Sequence, residues 1–294
     1  MTRRPSSPPA APYASTAMTL DDDELILYQS LFYQRIGLHL TREKKALLIS
    51  RLTRRLTDLG VSSFREYHQR ITAPGPIAAA ELQYAIDLIT TNETRFFRNP
   101  EHFGFLRETI LPQRQQAHPF RVWSAACSSG EEAYSLAMVL NDVLGTAPWQ
   151  VLGSDVSQRM LHKARRALYP MERCQLIPHE YLKRHCLRGQ HEYAGQLLMD
   201  HTLREQVTFV QLNLTDLPET LGPFDLIFLR NVLIYFDLPT KTNVVKTVLR
   251  SLRPGGHLVL GLAESLQGLA TSLENVAPAI YRKSGADGAA ARRH

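Results

Sequence analysis

Apolar positions along this chain follow two rhythms, and the change between them falls near residue 120. From residue 21 to 71 they recur at helical spacing. "DDDELILYQSLFYQRIG" opens on acidic residues suited to a helix N-terminus and closes at Gly37, which suits a C-cap. A second helix is expected from an N-cap at Thr41 to a stop at Gly60. At 100° per residue, its Ile49, Leu52, Leu56 and Leu59 gather on one side, while Lys44, Arg51 and Arg55, with Arg54 nearby, form a basic stripe. "SSFREYHQRI" predicts a third helix. "TAPGPIA" at 72–78 sets two prolines around a glycine and reads as a linker. A small helical domain is therefore expected over 18–73, followed over 74–90 by a linker and the connecting helix "AAAELQYAIDLIT". Asn99 and Pro100 in "TNETRFFRNP" permit a new helix start.

Beyond residue 120 apolar strands alternate with amphipathic helices. "FRVWSAA" predicts a strand, 131–144 a helix, "WQVLGSD" a strand, and 157–168 a helix capped by Ser157. "VTFVQLN" and "FDLIFLRN" predict strands, 239–252 a helix, Pro254-Gly255-Gly256 a turn, and "HLVLGL" and "AIYRK" the last strands. This alternation predicts a parallel α/β sheet with helices on both faces and a ligand at the carboxyl ends of its strands. The stretch from Tyr169 to Gln206 exceeds the roughly two to six residues usual for a connection in such a sheet. It predicts an appended subdomain with some β-structure over 170–206. Residues 1–17 and 285–294 read as disordered tails.

With 294 residues, 44% hydrophobic and 21% charged, the composition is that of a soluble globular chain. No run approaches the roughly 18 apolar residues of a membrane helix, and the first residues lack a signal-peptide core. Three cysteines without CxxC spacing suit a reducing cytoplasm. Cys174, His179, His185, Cys186 and His191 crowd one stretch, but their spacings match no common zinc pattern, so no metal is expected. The net charge of +6 points to an acidic partner: nucleic acid, an anionic membrane surface or an acidic protein.

The chemistry concentrates in "WSAACSSGEEAYSLAMVL", residues 123–140, a strand that breaks into small residues and resumes as a helix. Such turns usually cradle phosphate on helix amides. Here Gly130 is the turn's one glycine, and Glu131 and Glu132 would repel phosphate, so a ligand carrying positive charge is favoured. Asp155 closes the second strand of the α/β region, where a carboxylate accepts hydrogen bonds from ribose hydroxyls; the alternative is that it only caps a helix with Ser157. The absence of G-x-G-x-x-G argues against a dinucleotide. S-adenosylmethionine, a nucleoside with a cationic amino-acid tail, fits this pattern, with its ribose at Asp155 and its tail near Gly130 and Glu132.

"TNETRFFRNPEHF", "RVWSAACSSGEEAYSLAMVL", "GSDVSQRMLHKARRALY" and "GPFDLIFLRNVLIYFD", in this order and spacing, resemble the chemotaxis receptor methyltransferase family, CheR, over about residues 20–283. The resemblance implies a Rossmann-like class I S-adenosylmethionine-dependent methyltransferase domain over 91–284, carrying the small inserted β-subdomain and preceded by a small all-α domain. It implies S-adenosylmethionine as cofactor, S-adenosylhomocysteine as product and no metal, in a cytoplasmic monomer without membrane insertion. The family's cofactor contacts fall on Asn92, Thr94, Arg98, Glu132, Asp155, Asn213, Leu214, Arg230 and Asn231.

The implied reaction is methyl transfer to glutamate carboxylates on the cytoplasmic methylation helices of chemoreceptors. A glutamate with an ordinary pKa of about 4.3 is ionised at neutral pH, so no general base is needed. Arg98 and Tyr235 are the candidates for holding that carboxylate, Tyr235 having the alternative role of a packed aromatic. Lys44, Arg51, Arg54 and Arg55 either dock acidic receptor helices or form a solvated face. Whether 170–206 tethers a receptor tail is left open by the residues. A nucleic-acid methyltransferase is disfavoured, because the stripe lacks interleaved aromatics and "RNVLIYF" is not an Asn/Asp-Pro-Pro-aromatic run. A sensor that binds S-adenosylmethionine or S-adenosylhomocysteine without transfer is the remaining alternative.

Overall fold

Capping sets the first helices where the polar pattern places them. In the computed structural model, which describes residues 18–114, 117–269 and 271–284, α1 (Asp22–Ile36) begins at a capping box. The Asp21 carboxylate accepts from the Glu24 amide at 2.6 Å and Glu24 accepts from the Asp21 amide at 3.0 Å. The helix ends at Gly37, whose φ of 70° lies in the left-handed region. The tails expected at 1–17 and 285–294 lie outside the described residues.

α2 (Lys45–Asp58) follows a 3₁₀ turn at Arg42–Lys44, and Thr41 precedes that turn without a side-chain cap. Its buried face is Leu48, Leu52 and Leu56; Ile49 and Leu59, expected on that face, are only half-buried at its margins. α3 (Phe64–Thr72) is capped by Ser63, and α4 (Pro76–Ile89) starts on a proline at its first turn, where a missing N–H breaks no helical bond. That placement corrects the linker reading of 72–78: Pro76 opens the helix instead of ending structure. Leu82, Ala85, Ile86 and Ile89 of α4 pack in one cluster with Tyr28, Phe32, Leu52 and Phe64, so residues 76–89 complete the helical bundle.

The same packing divides the basic stripe. Glu81 of α4 is buried and accepts from Arg55 Nε at 2.8 Å, Arg55 Nη2 at 2.5 Å and the Tyr67 hydroxyl at 2.7 Å. The Arg55 guanidinium also lies 4.3 Å from the Tyr84 ring centre. Arg51 donates to the Leu88 carbonyl at 3.3 Å. Arg51 and Arg55 thus tie α2 to α4, and only Lys44 and Arg54 of the four remain exposed. A helical wheel cannot show this, because the acidic partner is supplied by another helix.

The second region runs α5 (Pro100–Phe105), β1 (Phe120–Ala125), α6 (Glu131–Leu144), β2 (Trp149–Asp155) and α7 (Gln158–Arg166). An inserted subdomain follows, with β3 (Leu168–Pro170), α8 (His179–His185), β4 (Cys186–Arg188) and β5 (Gln196–Met199). The chain returns through α9 (His201–Gln206), β6 (Val207–Gln211), β7 (Phe224–Leu229), α10 (Leu238–Arg250), β8 (Leu252–Leu260), β9 (Leu273–Ala277) and β10 (Ile280–Lys283).

The described strands form a seven-stranded sheet in the order β6-β2-β1-β7-β8-β10-β9 and a three-stranded antiparallel sheet β3-β5-β4. In the large sheet β6, β2, β1, β7 and β8 are parallel, while β10 and β9 are antiparallel additions. Apolar residues fill both faces of this sheet, one cluster around Tyr134 and Phe228 and the other around Trp123 and Leu260. The connection from β1 runs to one side and the strand order resumes on the other at β7. Such a switch point opens a crevice at the strand ends.

Two elements differ from the sequence expectation. Pro254, Gly255 and Gly256 lie inside β8, which begins at Leu252 and shifts register against β7 between Phe224 and Leu226. β9 is an exposed strand without apolar alternation. Among the described residues, no helix is long and apolar enough to cross a membrane, and no group of three or more His, Cys, Asp or Glu is placed to hold a metal ion.

The hydrogen bond from Arg55 holds the Glu81 carboxyl below its ordinary value of 4.5. A group whose folded pKa lies below its unfolded one adds stability above the unfolded value and loses it as pH falls through the folded one. Urea unfolding from about pH 3 to pH 6 should therefore show a steeper acid loss in the wild type than in Glu81→Gln. Glu81→Ala should cost about 2–3 kcal/mol near neutral pH, since it leaves Arg55 and the Tyr67 hydroxyl without their acceptor. A loss below about 1 kcal/mol would mean that this network does not hold α2 and α4 together.

Candidate functional site

The loops at the carboxyl ends of β1, β2, β6 and β7 surround one cavity, and the helical domain closes it. Asn92, Thr94, Arg98, Glu132, Asp155, Asn213, Leu214, Arg230, Asn231 and Tyr235 all line it, as does Lys44 of the basic stripe. Arg51, Arg54 and Arg55 do not. Leu38, His39, Leu40 and Leu47 of the helical domain complete the wall. Sequence reasoning missed these four, because nothing local to "LHL" shows which surface it will cover.

The turn from β1 into α6 carries three left-handed residues, Ala126 at φ 63°, Ser128 at φ 50° and Gly130 at φ 95°. Asp155 holds this turn from β2: its carboxylate accepts from the Ser128 amide and from the Ser157 amide, each at 2.8 Å. Each oxygen keeps further acceptor capacity, and this buried carboxylate lines the cavity. Burial raises its pKa above the ordinary 3.8, and the Ser157 and Ser128 amides work against that rise. The helix-bracing role and availability for a ligand, alternatives at the level of sequence, are thus both open to this one side chain.

Gly130 stands apart from the cavity wall. A Cβ there would come within 2.9 Å of both Ala164 Cβ and the Tyr169 hydroxyl oxygen, so glycine allows α6 to start against α7 and β3. Of the two residues expected near a ligand tail, Glu132 lines the cavity and Gly130 shapes the turn behind it.

The two glutamates also part company. Glu131 is fully buried on the far side, 2.9 Å from Arg173 Nη2. Glu132 faces the cavity, accepting from Ser124 Oγ at 2.7 Å and from Arg230 Nη1 at 3.0 Å. Both charges are compensated, so phosphate repulsion from the pair is weaker than the bare sequence suggests.

Arg230 acts as a buried clamp. Besides Glu132, its Nη2 donates to the Arg98 carbonyl at 2.7 Å and to Asn99 Oδ1. The 91–99 segment is thereby fastened to the end of β7. Arg98 itself donates to the Glu93 carbonyl at 3.2 Å and is half-buried on the cavity wall. Tyr235 is half-buried there too, and among the described residues its hydroxyl has no hydrogen-bond partner. Asn92 Nδ2 is bonded to Thr90, to its carbonyl at 3.2 Å and to its hydroxyl at 3.3 Å, while the Asn92 carbonyl accepts from Ser128 Oγ.

The Asn213 amide is spent on the seam between domains. Nδ2 donates to the Arg35 carbonyl at 2.8 Å, and Oδ1 accepts from the Thr215 amide at 3.1 Å and hydroxyl at 2.8 Å. The His39 amide donates to the Tyr235 carbonyl at 2.9 Å a short way along. Gly37 sits at this seam, where a Cβ would approach Thr215 Cγ2 to 2.5 Å and Thr240 Cγ2 to 2.8 Å.

Glu264, just beyond β8, is a fifth residue that the sequence did not disclose. Its buried carboxylate accepts from the amides of Asn231 at 2.6 Å, Leu233 at 2.8 Å and Gly261 at 2.9 Å. It thereby holds Asn231 at φ 58° on the cavity wall. A glutamate in "GLAES" carries no local sign of a partner 33 residues earlier.

The donor and acceptor set suits a nucleoside with an amino-acid tail. Asp155 offers free lone pairs to a vicinal diol, Val156, Leu212 and Leu214 offer apolar wall for a base, and Glu132 offers a negative charge for an ammonium.

The strand order, with its switch point beside β1 and a carboxylate closing β2, defines a Rossmann-like methyltransferase fold of class I with an all-α domain in front. The family description "CheR methyltransferase, SAM binding domain" matches residues 92–281, and "CheR methyltransferase, all-alpha domain" matches residues 23–90. The chain belongs to the CheR methyltransferase family. The all-α match ends where α4 ends, as its packing requires.

The relatives it resembles include chemotaxis protein methyltransferase 2 of Pseudomonas aeruginosa, 35% identical over 281 residues that cover 94% of this chain and 99% of that one. The chemotaxis protein methyltransferase of Escherichia coli is 38% identical over 255 residues, covering 86% of this chain and 87% of the relative. That of Borreliella burgdorferi is 35% identical over 284 residues, covering 91% and 96%.

Gly37→Ala tests whether the seam belongs to the site. The added methyl, at a φ that also disfavours alanine, should push α1 from Thr215 and Thr240 and raise the S-adenosylmethionine dissociation constant about tenfold by calorimetry. An unchanged constant in the folded variant would show that the helical domain does not help form the donor pocket.

Proposed function

We propose that the chain transfers a methyl group from S-adenosylmethionine to glutamate side-chain carboxylates of chemoreceptors, forming methyl esters that serve sensory adaptation. The observation that carries this reading is one cavity at the switch point, with Asp155 and Glu132 on its wall and Arg98 and Tyr235 free to meet a second ligand. The family and the printed names of the relatives support the same reading.

When bound, the cofactor supplies a methyl on a positively charged sulfur, with a neutral thioether as leaving group. The rest of the work falls to this chain. Asp155 would hold the ribose, and the aliphatic wall of Val156, Leu212 and Leu214 would hold the base. Arg98 presents a planar cationic fork and Tyr235 a phenol donor, which together aim a glutamate carboxylate at the methyl. The carboxylate oxygen supplies the electron pair of the new O–CH3 bond. No proton moves.

Leu38, Leu40, Leu47 and Phe236 exclude water from the reacting carboxylate, which raises its reactivity. Lys44 and Arg54, the exposed remainder of the stripe, and Arg95 give the outer surface a positive character suited to acidic receptor helices in the cytoplasm. In the inserted subdomain β4 is an edge strand with Leu187 and Arg188 exposed, which offers an extended receptor tail a place to add a strand.

Purified receptor cytoplasmic fragments incubated with labelled S-adenosylmethionine should acquire base-labile label on glutamates. Arg98→Ala should lower kcat/KM about 100-fold, Tyr235→Phe about tenfold, and Asp155→Ala should remove measurable cofactor binding. Tight cofactor binding with no label on any receptor fragment would overturn the transfer reading in favour of a sensor.

A further inference from the structure

The inserted subdomain reaches the donor pocket from behind, at two points that do not line the cavity. Tyr169, on β3, is buried and donates its hydroxyl to the Ser129 carbonyl at 2.7 Å. Its ring lies edge-on to Phe96 with 5.0 Å between centres. Arg173 follows in the 3₁₀ turn Met171–Cys174. Its Nη2 donates to the Thr94 carbonyl at 3.1 Å and lies 2.9 Å from Glu131 Oε1.

These bonds grip the two chain segments that form one side of the pocket. Ser129 and Glu131 belong to the turn that holds Ser128 against Asp155; Thr94 belongs to the segment that carries Asn92 and Arg98. Glu131 is 0% exposed, and among the described residues the cation paired with it is Arg173, whose side chain is 39% exposed. Ser129 Oγ donates to the other carboxylate oxygen at 2.7 Å. A buried carboxylate whose cation comes from the insertion makes the start of α6 depend on where the insertion sits. Among the described residues, neither Arg173 nor the Tyr169 hydroxyl bonds to the subdomain's own sheet; their partners are Ser129, Thr94 and Glu131.

We propose that Tyr169 and Arg173 are positioning residues of the methyl-donor pocket, through which the inserted subdomain sets cofactor affinity by holding the Ser129 and Thr94 carbonyls. The inference rests on the reading of the cavity as an S-adenosylmethionine site. Reach matters as well as charge: one nitrogen at the end of the arginine side chain, Nη2, serves both the Thr94 carbonyl and the Glu131 carboxylate, and a lysine ammonium on its shorter stem meets the pair less well.

The test is calorimetry with S-adenosylmethionine and S-adenosylhomocysteine, hydrogen exchange of the ligand-free chain, and steady-state kinetics on Arg173→Ala, Arg173→Lys and Tyr169→Phe. Arg173→Ala should raise both dissociation constants and the cofactor KM about tenfold with kcat within about twofold, and Tyr169→Phe should raise them about threefold. Arg173→Lys should recover only part of the loss. Without ligand, amides of 92–98 and 126–132 should exchange faster in both Arg173→Ala and Tyr169→Phe, while those of β7 and β8 stay as in the wild type.

Affinities within about twofold of wild type together with unchanged exchange would overturn the proposal, as would full recovery by Arg173→Lys. Should Arg173→Ala not fold, Tyr169→Phe, which removes a single oxygen, decides alone. Calorimetry of the wild type tests the cofactor reading separately, and exchange in the ligand-free chain tests the positioning, so failure of one is not mistaken for failure of the other.

Discussion

One buried guanidinium joins the pieces of chain that make the cavity. Arg230 leaves the end of β7 and meets the Glu132 carboxylate of α6, the Arg98 carbonyl and the Asn99 side chain. Its charge is bearable inside the protein because Glu132 compensates it, and Glu132 in turn can face a cavity because Arg230 and Ser124 satisfy it. Remove either member and the other is left charged in a poorly hydrated place. The 91–99 segment would then lose its fastening to the sheet, and with it the placement of Arg98.

Around that clamp the site is built from backbone groups held by side chains that take no part in the chemistry. Asp155 fixes the Ser128 and Ser157 amides, Glu264 fixes those of Asn231, Leu233 and Gly261, and Asn213 fixes the end of α1. Left-handed residues at Ser128 and Asn231 are conformations that cost energy in isolation, and the Asp155 and Glu264 carboxylates are what keep them. A preorganised wall of this kind suits a methyl transfer, in which placement of acceptor against methyl does most of the catalytic work.

Much of this was legible in the residues, and for identifiable reasons. The bounds of α6 and the cap at Ser157 could be read because they depend on neighbours in sequence. The four motifs likewise led to the residues that line the cavity, since strand ends at a switch point converge by topology. What could not be read depended on partners far along the chain. Pro76 looked like the end of structure until α4 was seen to pack on α2. Arg51 and Arg55 looked like a surface until Glu81 and the Leu88 carbonyl met them. Glu264 gave no sign of its role, and β9, exposed and without alternation, gave none of its pairing with β10.

The seam beneath the cavity has a thermodynamic consequence. The helical bundle and the sheet each have their own apolar core. Much of what joins them is polar: Asn213 to the Arg35 carbonyl, His39 to Tyr235, Gln83 to the Val156 carbonyl and Arg159 to the Asp87 carbonyl. Polar contacts of this sort couple two cores weakly, so heat meets two melting units sharing one boundary. A ligand seated between them is held by both at once, and its binding energy is forfeited when either melts. Occupancy of the cavity therefore turns two loosely linked transitions into a single cooperative one.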